Sequence, residues 1–413
     1  MAYGDGPHDE ALRTAWHAFC ERLKAAGDLV FKDVNPPTSL QRADGFRYLT
    51  QNLSQAFDLA LETRDTRFPA VHAFCSPTRK LGSDNADCIY LQAWIDGQSA
   101  YRISGNKGSA RFWNITIQGP RPPSGTLHDP FGDTPEANLV GGQLHAEWDG
   151  SFVLYVGGER RGPNWLPTTP GSRKIFFRQY FDRWDEAPAA YRIERLGMDG
   201  PRPVPTHATM IDAMGWAGNF VYDVVDYWPD FLWEHTELID PLALNRFNGL
   251  ATRLDRTSLD QDEDDQDVRR GRILTQMRWA LGTDEALIVE FENFDAFWMF
   301  TNEGMFGNSM DYLYRPVSWT PARTAVDGDG RIRLVMAHRD PGVHNWIDTQ
   351  GYSAGVLTFR NVLSRHVPKL HTRVVPHGDI PLHLPPATRT VSPPERQAQM
   401  LERFHAIRRR YRL

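Results

Sequence analysis

A chain of 413 residues with 41% hydrophobic and 24% charged side chains and 13 Trp carries enough apolar surface for two aromatic-rich cores, which excludes a disordered polymer. A net charge of -6, without a Lys/Arg stripe interleaved with aromatics, gives no footprint for a phosphate backbone, so no nucleic-acid partner is expected. Apolar runs such as Phe152–Val156 and Ala286–Val289 are strand-sized and too short to span a membrane.

Leu12, Trp16, Phe19 and Leu23 recur at helical spacing over residues 8–26. A second helix is expected after Pro36-Pro37, capped by Thr38 or Ser39, with Phe46, Leu49, Leu53, Phe57 and Leu61 as its apolar stripe. Residues 1–80 therefore read as a helical N-terminal cap. From Cys88 the period changes to two, and turn signals from Asp96-Gly97 to Gly157-Gly158 separate short runs. Residues 81–200 read as a first antiparallel β-sandwich half, jelly-roll-like.

Met210, Met214, Phe220, Val224, Trp228 and Phe231 return to a helical period, with Pro229 within it. Asp223, Asp226, Asp230, Glu234 and Glu237 read as its wet face, with His235 as a polar group able to reach a pocket. The acidic run from Ser258, answered by Arg269, Arg270 and Arg272, reads as a solvated linker or lid, so 201–275 is a helical insertion and acidic linker. Strand character returns at Glu285, making 276–366 a second sandwich half. Residues 367–413 form a Pro- and His-rich extended tail and a closing helix, whose basic end (Arg408, Arg409, Arg410, Arg412) suits the macrodipole. The fold class expected is thus mainly β with helical additions.

The two halves are related within the sequence. Val153–Thr168 aligns without a gap with Leu334–Thr349, pairing Asn164-Trp165 with Asn345-Trp346, and Arg178 with Arg360. The strands starting at Cys88 and Ala286 then open the two copies. An Asn-Trp pair at a strand entry closes a turn through the Asn and plugs the sandwich end with the Trp. The alternative is that the two tryptophans floor a concave mouth, with the arginines pointing into it.

Lys80–Tyr90, Ala93–Asp96, Asn164–Pro167 and Arg178–Phe181, with Asp284–Glu290 and His338–Gly351, resemble the bacterial domain-of-unknown-function family 1214, often accompanied by its neighbour family 1254. The resemblance implies β-sandwich domains and a pocket lined by the family's Asn-x-Asp-x-x-Tyr pattern, here Asn85, Asp87 and Tyr90. Cys88 stands where the neighbour family usually has Thr.

The later copy carries the more reactive loop. His338, Asp340, His344 and Asp348 bracket Trp346, a set suited to acid–base catalysis. Asp340, His338 and Asp348 are the expected catalytic groups; Asn345, Trp346, Arg360, Trp165, Asn85, Asp87 and Tyr90 are the expected substrate contacts. The bland reading of Asp340 is a cap on an Asp-Pro-Gly turn. No Gly-x-Ser-x-Gly elbow, P-loop or dinucleotide fingerprint occurs, so no cofactor is expected. His366, His371, His377 and His383 lack metal-ligand spacing and are expected to bind no metal. Cys20, Cys75 and Cys88 lack CxxC spacing, and no leader opens the chain, which suits a cytoplasmic location. The leading expectation is a hydrolase or lyase acting on a neutral hydroxylated or glycoside-like small molecule. The alternatives are a carbohydrate- or small-ligand-binding protein stacking sugars on Trp113, Trp165 and Trp346, and a homo-oligomeric scaffold.

Overall fold

The structure, a computed structural model, describes residues 6–120, 133–234, 244–247, 253–254, 272–362 and 368–413. The acidic run after Ser258, and His235, Glu237 and His366, lie outside the described residues. Two helices open the chain, α1 (Asp9–Leu29) and α2 (Ser39–Phe57). Thr38 caps α2, its Oγ1 accepting from the Gln41 N–H at 3.1 Å, which satisfies one of the donors a helix start leaves open. Four residues of the predicted apolar stripe face the helical core, Leu49 buried in it and Leu53, Phe57 and Leu61 packed against it, and α2 also buries a polar side. Gln41, Asp44, Tyr48, Asn52 and Gln55 are buried, whereas Phe46 is exposed. The reason for the polar side is its partner: it packs on polar loops, and Gln41 Oε1 and Asp44 Oδ2 accept hydrogen bonds from Ser353 and Asn308.

The first sandwich comprises β1 (His72–Cys75), β2 (Cys88–Trp94), β3 (Tyr101–Asn106), β4 (Phe112–Pro120), β5 (Asp133–Val140), β6 (Ser151–Val156), β7 (Trp165–Leu166), β8 (Lys174–Tyr180) and β9 (Ala190–Arg195). One sheet runs β1-β2-β8-β4-β5 and the other β7-β6-β3-β9. Alternation sends Ile103, Leu154, Ile115, Ile175 and Phe177 into a fully buried layer between them. Helix α3 (His207–Glu234) follows, running through Pro229.

The second sandwich comprises β10 (Arg253–Leu254), β11 (Arg272–Ala280), β12 (Glu285–Glu292), β13 (Phe297–Glu303), β14 (Ser318–Trp319), β15 (Arg331–Ala337), β16 (Trp346–Asp348), β17 (Ala354–Val362) and β18 (His371–Pro376). Its sheets run β10-β11-β17-β13-β14 and β16-β15-β12-β18, so each strand of the first half has its counterpart nine strands later. Even the parallel pairings recur, β6 with β7 and β15 with β16. Trp279, Trp298, Leu334 and Phe359 fill this core with no exposed surface; an aromatic-to-Ala change in such a layer costs about 3–5 kcal/mol. The chain closes with α4 (Pro393–Tyr411).

The repeat is real, and its register differs from the ungapped alignment. Asn164 Nδ2 donates to Val153 O at 3.0 Å, and Asn345 Nδ2 donates to Arg333 O at 3.0 Å. Val153 is therefore equivalent to Arg333, not to Leu334, and the second loop is one residue longer. Burial agrees, because Leu154 and Leu334 are both core residues while Val153 is exposed; a slip of one residue reverses every side chain in a strand. The strand at Cys88 correspondingly matches β11, and the strand at Ala286 is the counterpart of β3. Arg178 and Arg360 do correspond, each at the same place in its central strand, opposite Asn114 and Met299 of β4 and β13.

The outer faces of both five-stranded sheets, through Tyr90, Trp94, Phe176, Met299 and Val356, share one apolar layer with α1, α2 and α3. Among the described residues no helix is long and apolar enough to cross a membrane.

Candidate functional site

Residues 80–87 leave the first sandwich and lie over the second. Asn85 Oδ1 accepts from the Asp87 N–H at 2.8 Å and from Thr301 Oγ1–H at 3.1 Å, and Tyr90 Oη accepts the Asn85 N–H at 3.3 Å. The Asn-x-Asp-x-x-Tyr spacing is thus a self-bonded turn that docks one half on the other. Arg360 joins it from β17, donating to Ser83 Oγ at 3.0 Å and pairing with Glu303 at 3.4 Å. Asn85 and Arg360 are 1% and 4% exposed, so these two predicted contacts meet in a sealed polar seam. Burial pushes the Glu303 carboxyl up, against the pull of Arg360.

A second cluster in that seam went unread in the sequence. Lys80 Nζ donates to Ser309 Oγ at 2.8 Å and lies 3.9 Å from Asp84 and 3.5 Å from the centre of the Tyr312 ring. Ser309 in turn donates to both Asp84 oxygens, through its N–H at 2.9 Å and its hydroxyl at 2.6 Å. Burial pulls the Lys80 ammonium down to about 8, with Asp84 opposing.

Asp87, the middle member of the pattern, turns the other way. Its carboxylate is fully buried, with Oδ2 at 2.6 Å from Arg323 Nη2 and Oδ1 at 3.7 Å from Arg410 Nη1. Burial alone would raise this carboxyl, but the charges of Arg323, Arg410 and Arg403 outweigh it and hold it below its ordinary value. All three guanidiniums stack over the Trp184 ring, at 4.1, 5.1 and 5.0 Å from its centre.

Above this stack opens a cleft of about 400 Å³. It is walled by the loop at Trp184, by Trp319, Arg323 and His344 of the second sandwich, and by Gln399 and Arg403 of α4. His344 is fixed at both ring nitrogens, by Arg323 O at 3.1 Å and by Gln399 Nε2 at 3.0 Å; burial lowers its pKa and favours the neutral ring. The signal for this wall was in the sequence. Arg396, Arg403 and Arg410 recur every seven residues and occupy one face of α4. That face is buried while Leu401 is exposed, so the basic end of the helix is partly a docking surface, beyond its fit to the macrodipole.

The structure does not gather the expected catalytic groups. Asp340 Oδ1 accepts the Gly342 N–H at 2.9 Å, capping its turn, and Oδ2 pairs with Arg396 at 2.9 Å. His338 bonds Thr349 Oγ1 at 2.7 Å and Gly282 O at 3.1 Å. Asp348 is buried against Arg315 at 2.7 Å. Asn345 spends its amide on Ala325 and Arg333 backbone. Trp346 donates its indole N–H to Ala337 O at 3.1 Å, as Trp165 does to Gly157 O at 3.2 Å. Trp113 lies in the first core. Among the described residues, no group of three or more His, Cys, Asp or Glu side chains could hold a metal ion.

No curated protein matches the chain in sequence. Among solved structures it is similar to an uncharacterised protein from Burkholderia cenocepacia, at 25% identity and a TM-score of 0.77, over 88% of this chain and 97% of that one. A looser likeness, with 13% identity and a TM-score of 0.43, covers 86% of this chain and 100% of a protein from Vibrio parahaemolyticus. A family model described as "Protein of unknown function (DUF1214)" matches residues 91–182, starting just after Tyr90. That stretch holds β3 to β8 of the first sandwich, so the similarity to this family lies in the first half of the chain.

Proposed function

We propose that this chain is a small-molecule-binding protein whose site is the cleft between Trp184, the second sandwich and α4. One observation carries the reading: three remote parts of the chain converge there on a cavity of about 400 Å³, within the range of about 300–1,000 Å³ typical of ligand sites. Its walls combine the flat faces of Trp184 and Trp319 with charged and polar side chains, among them His344 held at both ring nitrogens. This is the binding alternative raised by the sequence; the acid–base alternative has less support, since Asp340, His338 and Asp348 are engaged with separate partners. That Cys20, Cys75 and Cys88 form no disulfide suits a reducing, cytoplasmic setting.

The test is thermal stabilisation of the full chain by a panel of small charged and neutral aromatic compounds, repeated with Ala322→Trp. Ala322 is exposed and lines the cleft, so the larger side chain fills the cavity without entering the core. The reading expects hits on the wild type that vanish in the variant at unchanged basal Tm. Hits that persist in Ala322→Trp place binding elsewhere and overturn it.

A further inference from the structure

The cationic wall of the cleft is under-compensated. Four arginines line it, Arg183, Arg323, Arg389 and Arg403, against Asp185 and Glu402. Arg183 is paired with Asp185 at 3.0 Å, and Asp87 beneath the floor is already divided between Arg323 and Arg410. Arg403 is 3% exposed and has no carboxylate within ion-pairing distance among the described residues. It donates to Ser318 O at 3.0 Å, yet its Nε meets no acceptor, and neither does Nη1 of Arg323, whose side chain is 7% exposed. A buried guanidinium that shares its nearest carboxylate with two others is costly, and a donor left without an acceptor adds about 1–3 kcal/mol. Such a cost is relieved when an anion arrives. Burial and the neighbouring Arg323 pull Arg403 down to about 9, with Asp87 opposing.

We infer that the cleft takes an organic oxyanion, a carboxylate or a phosphate monoester, whose charged end is held by the guanidiniums of Arg323 and Arg403 while its body lies against Trp184 and His344. The inference rests on the cleft being the binding site. Guanidinium N–H groups match oxyanion geometry, and the indole and imidazole beside them match a flat unsaturated body.

The experiment is calorimetric titration of the full chain with benzoate, phenyl phosphate and neutral benzamide at low and high salt. Arg323→Lys and Arg403→Lys are tested in parallel; each keeps the charge beside Asp87 and Trp184 but loses the planar fork. The expected result is that at least one anion binds about tenfold or more tightly than benzamide. The preferred anion identifies the oxyanion. Affinity should fall with salt, and each lysine variant should weaken it by about tenfold. If a variant does not fold, the salt dependence and the benzamide comparison on the wild type decide alone. Benzamide binding as tightly as both anions, without salt dependence, overturns the inference and leaves the cleft reading intact. Failure of all three compounds, charged and neutral, counts against both.

Discussion

Asn164 and Asn345 perform the same task at equivalent corners of the two sandwiches. Asn164 brackets His145, accepting its N–H at 2.8 Å and donating to its carbonyl at 2.7 Å, and Asn345 brackets Ala325 in the same way at 2.9 and 2.8 Å. Each amide also ties that loop to its own strand, at Val153 or Arg333. Removing either side chain leaves three backbone groups to find new partners. Asn164→Ala and Asn345→Ala are therefore expected to destabilise the chain by about 2–3 kcal/mol each, read by urea denaturation. If Asn345→Ala kept full stability but lost ligand binding, the residue would be a ligand contact and not a corner brace.

Asp340 is expected to matter little. Its pair with Arg396 keeps a third of the carboxylate side exposed, at 34%, so solvent screening limits Asp340→Asn to about 1 kcal/mol or less. Ligand affinity should be unchanged. A variant of full stability that abolished an activity would restore Asp340 to the catalytic role that its sequence context suggests.

Asp87 should behave in the opposite way. Asp87→Asn leaves Arg323, Arg403 and Arg410 without their shared carboxylate in a buried site, which is expected to cost about 3–5 kcal/mol. Because its folded pKa lies below the ordinary value, its stabilisation is present above that ordinary value and is lost as pH falls through the folded one. The wild type should lose stability over that acid range more steeply than Asp87→Asn. Equal slopes in chemical denaturation would show that the charge does not carry the interaction.

Lys80 predicts a slope at the other end of the scale. Its ammonium titrates at about 8 in the folded chain against 10.5 for the free side chain. Between those values the unfolded chain holds a proton that the folded chain has released, so rising pH favours folding there. Compared with Lys80→Met, the wild type should gain stability from pH 8 to 10.5. A flat difference would mean that Asp84 and Ser309 keep the ammonium charged.

The layered plan was legible because alternation and turn residues are local signals. Cys88–Trp94, Ser151–Val156 and Phe297–Thr301 read as strands and form them, Ser151–Val156 with one face on a core and the other two buried on both faces. The repeat was visible through Asn-Trp and the two arginines, but the one-residue loop extension was hidden, because only the hydrogen bonds to Val153 and Arg333 fix the register. The apolar stripe of α2 was legible from Leu49 to Leu61, but its buried polar side, Gln41, Asp44, Asn52 and Gln55, was not, since a pattern of apolar residues says nothing of a polar partner surface. The cleft was least legible. Trp184, Arg323 and Arg403 are 219 residues apart from first to last in sequence, and only α4 folding back on the second sandwich brings them together.

Hydrogen–deuterium exchange of the full chain, with and without saturating phenyl phosphate or benzoate, tests the placement of the site most directly. The cleft account predicts slowed exchange confined to the segments around residues 182–186, 316–324, 342–346 and 396–404. Protection centred instead on the Lys80–Asn85 seam and Arg360, or none with a compound shown to bind, would contradict it.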